Sequence, residues 1–210
     1  MFNRLFNPLF SAKARFVLVV SVLLSVLFTS PLFAAPTIEM QTSVGKIVLE
    51  LDSVNAPKTV QNFLQYAQEG FYDDTIFHRV INGFMIQGGG FNKDMQVKPT
   101  KQAIANEAAL GVKNGLKNQR GSIAMARRND PHSATAQFFI NQQDNPMLDH
   151  NGESWGYAVF GRVTQGMDVV DRIAKLPVRN QGAFENVPLT PVLIQSVKII
   201  ASPADLSNKK

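Results

Sequence analysis

Residues 77–89 read FHRVINGFMIQGG. Two strand-like apolar segments flank Asn82-Gly83, which is a favourable pair for a tight turn, so this stretch predicts a β-hairpin. The polar side chains of Arg79 and Gln87 are embedded in it. Because a guanidinium group is almost never buried without a partner, Arg79 belongs either to a structural ion pair on the wall of the fold or to a functional site.

A second stretch, Ser133–Asn141, favours a functional site. Strand alternation places Gln137, Phe139 and Asn141 on one face and the intervening apolar residues on the other. Such a face is poor core, but it suits a groove that holds an apolar ring and anchors a peptide backbone on either side. The alternative is that Phe139 is ordinary filling of a barrel.

Short strand-like segments alternate with two helical segments along most of the chain. The predicted strands are Thr37–Gln41, Lys46–Leu51, Thr75–Ile81, Phe84–Gln87, Ser122–Ala126, Gln137–Asn141, Tyr157–Val163 and Val192–Ile200. One predicted helix is capped by Asn55, is entered through Pro57 and ends at Gly70, and the other spans Met167–Lys175. The polar segment Phe91–Lys117 is predicted to be irregular surface loop. This pattern predicts a mainly β fold, a closed antiparallel barrel whose ends are covered by two α-helices.

Several common catalytic chemistries lack the residues that they need. The chain has no cysteine and only three histidines, so thiolate catalysis and disulfide bonds are excluded, and no cluster has metal-ligand spacing. No serine has the context of a nucleophile elbow, and Gly88–Gly90 lacks the Lys-Ser/Thr of a phosphate-binding loop. Hydrolase, kinase and dehydrogenase functions are disfavoured, and no metal or cofactor is expected.

Residues 1–34 have the pattern of a secretory signal peptide. Three basic residues precede the 13-residue uncharged apolar run Phe16–Phe28, and no acidic residue occurs before Glu39. The run is shorter than the roughly 20 residues of a membrane-spanning helix. We expect cleavage after Ala34, which leaves residues 35–210 as one mature domain free of the membrane, and the alternatives are cleavage after Ala35 and an uncleaved anchor.

The charge of the chain depends strongly on this leader. Its removal takes away three positive charges and no negative one, so the formal net charge falls from +5 to +2. The remaining Lys and Arg residues are scattered among acidic residues, which indicates a solvated surface. No nucleic-acid partner is expected.

The chain resembles the cyclophilins, and it is most similar to the bacterial periplasmic members. The resemblance extends from about Ile38 to Ile200, and residues 77–89 carry its most specific motif. The supporting blocks are Asn114-Gly115-Leu116, residues 120–126, Gln137-Phe138-Phe139-Ile140, Leu148-Asp149-His150 and Phe160-Gly161. The resemblance implies an eight-stranded antiparallel barrel with two capping helices and the activity of a peptidyl-prolyl cis-trans isomerase, or rotamase.

The resemblance also implies a set of site residues. Arg79 falls on the catalytic arginine of the family, and Gln87 and Gln137 fall on polar groups that hold the substrate near it. The segment Ala126-Arg127 matches the segment whose backbone pairs with the peptide. The implied proline pocket consists of Phe84, Met85, Phe139 and Leu148. Met147 and Tyr157 stand at the edge of the groove, where many eukaryotic members have Trp and His.

The implied role is isomerisation of Xaa-Pro bonds during the folding of exported proteins in the periplasm. The expected partners are proline-containing unfolded or folding polypeptides, and the enzyme is expected to be monomeric. Because Met147 has no N–H donor, the resemblance implies weak binding of the inhibitor cyclosporin. Two alternatives remain: a non-catalytic, chaperone-like binder of the same chains, and an uncleaved membrane-tethered scaffold.

Overall fold

Eight antiparallel strands close into a barrel in the computed structural model, which describes residues 35–201. Two further strands form a separate hairpin on the outside. The barrel strands are β1 (Thr37–Thr42), β2 (Gly45–Leu51), β3 (Thr75–Ile81), β4 (Met85–Asn92), β5 (Ser122–Met125), β6 (Phe138–Asn141), β7 (Val159–Gln165) and β10 (Val192–Ala201), and the hairpin strands are β8 (Val178–Gln181) and β9 (Phe184–Pro188). Around the barrel the order is β1-β10-β3-β4-β6-β5-β7-β2. The predicted fold class is confirmed.

Strand alternation builds the interior of the barrel. In the β1–β2 pair, Ile38 lies opposite Leu49 and Met40 lies opposite Ile47, and all four side chains are fully buried in the core. Directly paired residues on neighbouring strands share a face, so each such pair fills the same layer. Burial of an aliphatic side chain of this size stabilises the fold by about 1.5 to 3 kcal/mol.

Helices pack onto this core. The helices of the described residues are α1 (Pro57–Gln68), α2 (Ala108–Lys113) and α3 (Met167–Ala174), with a 3₁₀ helix at Pro146–Leu148. Two of them, α1 and α3, correspond to the two predicted helices. Phe63 of α1 and Ile173 of α3 are fully buried in the same cluster as the barrel interior. None of the helices within residues 35–201 is both long and apolar enough to cross a membrane.

The start of α1 differs from the prediction. Ala56, and not Asn55, occupies the N-cap position, and no side chain of the cap residue accepts a bond from the helix. The carboxylate of Glu107 instead accepts hydrogen bonds from the backbone N–H groups of Lys58 (3.1 Å) and Thr59 (2.8 Å). A negative charge at a helix N-terminus is favourable because the first N–H groups have no partner within the helix. This cap comes from a distant segment, so no local pattern could reveal it.

Two other parts of the chain are more ordered than predicted. The segment predicted as irregular loop, Phe91–Lys117, contains α2 and a bridge between Phe91 and Val97. The hairpin β8–β9 was not predicted, because every residue of β8 is exposed and the strand has no apolar alternation. The predicted signal peptide, residues 1–34, lies outside the described residues.

Candidate active site

One row of paired residues crosses five neighbouring strands on the outer face of the barrel. Arg79 of β3 pairs with Gln87 of β4, which pairs with Phe139 of β6. Phe139 pairs with Ala124 of β5, and Ala124 pairs with Val159 of β7. The neighbours of Phe139 in β6 point into the core, so this row faces outward. Residues that are far apart in the sequence are therefore brought side by side by strand register alone.

A β-bulge sets the direction of Arg79. The register of β3 against β4 shifts between Phe77 and Arg79, and such an insertion of one residue disrupts the strict alternation of side chains. Phe77 and Val80, three positions apart, are both in the barrel core, whereas the intervening His78 and Arg79 both line an outer cavity. The bulge therefore presents an adjacent histidine and arginine on the same surface.

The groove beside this row is a cavity of about 150 Å³. It collects nine of the residues that the sequence indicated, namely Arg79, Phe84, Met85, Gln87, Ala126, Arg127, Phe139, Leu148 and Tyr157. Phe139 is 4% exposed and packs edge to face against Tyr157, with 5.5 Å between the ring centroids. The groove thus has an apolar aromatic floor and a polar rim at Arg79 and Gln87.

A chain of side-chain amides orients the polar rim. Gln87 Nε2 donates to Gln137 Oε1 at 3.1 Å, which turns Gln87 Oε1 towards Arg79, whose Nη1 lies 3.5 Å away. Gly90 leaves room for this arrangement, because a Cβ there would lie 2.4 Å from Gln137 Cγ. Gln137 does not line the groove itself. Its contact with the site is made through Gln87.

The side chain of Arg127 packs on the groove wall. Its Nε donates to the carbonyl of Gly156 (3.1 Å), and its guanidinium carbon lies 4.6 Å from the ring centroid of Tyr157. The backbone N–H of Ala126 is used within the fold, where it donates to the Gln137 carbonyl at 3.0 Å. Arg127 thus holds the Tyr157 ring by a cation–π contact.

Met147 lies outside the groove. Its side chain is 69% exposed in the 3₁₀ helix, and it does not line the cavity, whereas the next residue, Leu148, does. The structure therefore places Met147 on the outer rim, beside the groove wall.

Three buried asparagines lie behind the groove wall, and two of them, Asn118 and Asn145, were not identified as site residues from the sequence. Asn118, Asn141 and Asn145 are at most 1% exposed. Asn141 Nδ2 donates to Asn118 Oδ1 (3.1 Å), and Asn145 Nδ2 donates to Asn141 Oδ1 (2.7 Å). The expectation that Asn141 shares a peptide-anchoring face with Phe139 is wrong, because its side chain is enclosed in this cluster.

The asparagine cluster holds the backbone of the groove wall. Asn145 Nδ2 donates to the Phe84 carbonyl at 3.0 Å, and Asn118 Nδ2 donates to the Leu148 carbonyl at 3.1 Å. The backbone N–H of Leu148 donates to the Asn145 carbonyl at 2.9 Å. Buried amides are costly unless they are paired. The cluster therefore fixes two groove residues that no strand register positions.

His78 is a buried neutral group beside the catalytic candidate. Burial, and then the charge of Arg79, lower the pKa of His78 from 6.5 to about 4. Its Nδ1 has no hydrogen-bond partner in the described part of the chain. Across residues 35–201, no group of three or more His, Asp or Glu side chains could hold a metal ion.

Comparison with known proteins places this site in context. The profile of the family described as "Cyclophilin type peptidyl-prolyl cis-trans isomerase/CLD" matches residues 37–199. A peptidyl-prolyl cis-trans isomerase of Streptomyces antibioticus is 57% identical over 167 residues, which cover 78% of this chain and 98% of the relative. Peptidyl-prolyl cis-trans isomerase A of Dickeya dadantii is 50% identical over 189 residues, which cover 89% of this chain and 97% of the relative.

A solved structure gives the same fold. A cyclophilin-type peptidyl-prolyl cis-trans isomerase of Cryptosporidium parvum, crystallised in the presence of the dipeptide Ala-Pro, is 26% identical to this chain. The two structures have a TM-score of 0.64, and the match covers 79% of this chain and 99% of the other.

Proposed function

The chain belongs to the cyclophilin family and is a peptidyl-prolyl cis-trans isomerase, and we propose that Arg79 is the residue that accelerates rotation about the Xaa-Pro bond. The substrates are proline-containing segments of unfolded or folding polypeptides. One observation carries the proposal: the Arg79 side chain shares a small groove with the apolar side chains of Phe84, Met85 and Phe139.

The reaction needs a group that binds the twisted bond better than the planar one. Amide resonance gives the Xaa-Pro bond a rotation barrier of roughly 18 to 20 kcal/mol, and uncatalysed isomerisation takes tens of seconds or more. When the bond is twisted, resonance is lost and the proline nitrogen regains a lone pair. A fixed N–H donor aimed at that nitrogen therefore stabilises the transition state selectively.

Arg79 has the donors for this task. A guanidinium group has five N–H donors in a planar fork, and the one hydrogen bond of the Arg79 side chain within residues 35–201 is the 3.5 Å approach to Gln87 Oε1. The remaining donors are available for the proline nitrogen and for the substrate carbonyl. Gln87, held in turn by Gln137 at 3.1 Å, limits the rotation of the fork.

The apolar floor raises the value of these polar contacts. Met85 and Phe139 are 2% and 4% exposed, and they pack with Phe84, Leu148 and Tyr157. A proline ring seated on this floor displaces water, and hydrogen bonds become stronger where the local dielectric constant is low. No proton is transferred and no covalent bond is formed. The catalytic work is positioning and electrostatic stabilisation.

A protease-coupled assay with a short proline peptide tests the role of Arg79. In Arg79→Ala we expect kcat/KM to fall by about a hundredfold to a thousandfold, which is the effect of losing one aligned transition-state donor. Arg79→Lys should also be poor, because an ammonium group does not reproduce the planar fork. The matched control is Arg162→Ala, which removes an exposed arginine of β7 that pairs with Glu50 at 2.9 Å.

The outcomes separate catalysis from simple binding. Near-normal turnover by Arg79→Ala, with thermal unfolding like that of the unmodified protein, would remove Arg79 from the mechanism. Tight binding of proline peptides by the unmodified protein without turnover would favour the non-catalytic binder.

The enzyme is further proposed to act on exported proteins in the periplasm. This proposal is supported by the basic and apolar pattern of residues 1–34 and by the similarity to bacterial relatives. N-terminal sequencing of protein recovered from the periplasm should give a start near Ala35. An intact Met1 on membrane-bound protein would contradict export of a soluble mature enzyme.

A further inference from the structure

A second cavity borders the groove at Arg79. It has a volume of about 330 Å³, more than twice the 150 Å³ of the proline groove. Arg79 lines both cavities. Gln137, which holds Gln87 at 3.1 Å, also lines the second one. When a proline occupies the groove, the residue before or after it can therefore reach the mouth of this cavity, because consecutive residues of an extended chain are about 3.4 Å apart.

The inner wall of the cavity contains an unsatisfied polar group. His78 is 5% exposed, and its Nδ1 has no hydrogen-bond partner in the region that the structure describes. Burial keeps this imidazole neutral and lowers the pKa of His78. Because its Nδ1 is enclosed by the chain, His78 closes the inner wall with an uncharged ring and does not offer that nitrogen to a ligand.

The outer wall comes from the hairpin β8–β9, which packs against β3. Phe184 at the start of β9 contacts Phe91 edge to face, with 5.2 Å between the ring centroids. The ring centroids of Phe91 and His78 are in turn 4.5 Å apart. The next residue, Glu185, is exposed and also lines the cavity. The ion pairs of the described residues do not include its carboxylate.

We propose that this cavity is a substrate subsite for a lysine or arginine side chain located next to the isomerised proline. The proposal rests on the proposed function, because the proline groove fixes the peptide. The apolar stem of the side chain lies along Phe184, and its cationic end reaches the Glu185 carboxylate.

The lining favours a cation over other side chains. The Glu185 carboxylate supplies an acceptor, and the aromatic edges of Phe91 and Phe184 suit a long methylene stem. The positive charge of Arg79 repels a cation at the end of the cavity next to the groove. This repulsion favours the orientation in which the cationic end of the substrate side chain lies at Glu185. An acidic side chain would be repelled by the Glu185 carboxylate. An aliphatic side chain would use only the aromatic wall.

Two series of short proline peptides test this subsite, one varied at the residue before the proline and one at the residue after it. Each series contains Lys, Gln, Leu and Glu at the varied position. For the unmodified protein we expect kcat/KM to be about twofold to fivefold higher for Lys than for Glu in one series, as for an exposed ion pair. Glu185→Gln should bring that ratio close to one, and Glu185→Lys should reverse it.

The control is Glu69→Gln, which removes the same charge at the end of α1, where Glu69 pairs with Lys101 at 2.9 Å. It should leave the Lys/Glu ratio unchanged. The subsite is refuted if the ratio is the same in the unmodified protein and in both Glu185 variants, or if Glu69→Gln shifts it equally. Failure of the unmodified protein to isomerise any peptide would instead refute the proposed function.

Discussion

The two walls of the groove that contains Arg79 and Phe139 are built by different means. The strand wall consists of Arg79, Gln87 and Phe139, which are paired across β3, β4 and β6. The loop wall consists of Leu148 and Tyr157, whose backbones meet where the Tyr157 N–H donates to the Leu148 carbonyl at 2.9 Å. Register sets the strand wall, since a one-residue slip would turn the side chains inward. No strand pairing positions the loop wall. Hydrogen bonds from the buried asparagines hold its backbone instead.

Because of this difference, substitutions in the two walls should have different effects on the structure. A strand-wall substitution changes the floor of the groove while the backbone stays in place, because the barrel ladder holds it. A substitution in the asparagine cluster leaves the barrel closed but releases the loop wall. Four predictions, ordered from the largest expected effect to the smallest, test this distinction.

Truncation of the strand wall at Phe139 should have the largest effect. Phe139→Ala removes a ring that is 4% exposed, so we expect the free energy of unfolding to fall by about 3 to 5 kcal/mol. Loss of the apolar floor should also lower kcat/KM by about tenfold to a hundredfold. Denaturant unfolding and the protease-coupled assay measure the two effects.

Phe71→Ala is the matched control for Phe139. Phe71 packs on Tyr66 with 4.6 Å between the ring centroids and does not line the groove. It should lower stability while the folded protein keeps its activity. Equal losses of kcat/KM in the two variants would show that activity only follows stability.

His78 makes the strand side of the site sensitive to pH. Its pKa is about 4 in the folded protein against 6.5 in the unfolded chain, so the unfolded state binds more protons as the pH falls below 6.5. Stability contributed by the neutral imidazole is therefore complete above pH 6.5 and is lost towards pH 4. Each unit of difference between the two pKa values changes the free energy of unfolding by about 1.4 kcal/mol, so the whole loss is about 3 kcal/mol.

Chemical unfolding at several pH values tests this linkage. The difference in stability between the unmodified protein and His78→Gln should be constant above pH 7 and should change by about 3 kcal/mol between pH 6.5 and 4. Parallel pH profiles for the two proteins would contradict the assignment.

Release of the loop wall should have a smaller effect on stability but a clear effect on catalysis. Asn145→Ala leaves the Phe84 carbonyl and Asn141 Oδ1 without their donors at 3.0 and 2.7 Å, so we expect a loss of about 2 to 3 kcal/mol. The same change also loosens Asn141, which holds Asn118 and through it the Leu148 carbonyl, so KM for a proline peptide should rise about tenfold at a temperature where the variant is fully folded.

Asn62→Ala provides the comparison for this variant. Asn62 of α1 is also a buried asparagine, and its amide donates to the Thr135 carbonyl at 2.6 Å. Asn62→Ala should lower the free energy of unfolding by a similar amount and leave KM unchanged. An unchanged KM in Asn145→Ala would mean that the asparagine cluster supports the fold without positioning the groove.

The smallest effect concerns the outer rim of the loop wall. Met147→Trp adds an indole N–H donor and a flat surface beside Leu148, so we expect cyclosporin to bind about tenfold to a hundredfold more tightly. Turnover of a short proline peptide should change less than twofold, roughly the limit of a rim contact, because Met147 does not line the groove. Equal gains in inhibitor binding and turnover would place Met147 inside the groove.

Local patterns in the sequence determined the barrel and the strand wall. The alternation around Phe139 correctly separated it from the inward neighbours Phe138 and Ile140, because the period of two is a property of the extended backbone itself. The Asn82-Gly83 pair predicted the turn between β3 and β4, and Gly83 has the positive φ of 75° that such a turn uses. The resemblance to cyclophilins added Leu148 and Tyr157, which no periodicity indicates.

Only the tertiary structure decided the features that depend on contacts between distant segments. The carboxylate of Glu107 caps α1 in place of the predicted Asn55, and Asn141 is enclosed by Asn118 and Asn145 although its strand position suggested a peptide contact. The second cavity exists because β9 covers a bulge at His78. Periodicity along a chain indicates the face of a strand or helix on which a side chain lies. The hydrogen-bond partner of a polar group instead depends on which loops the closed barrel brings together.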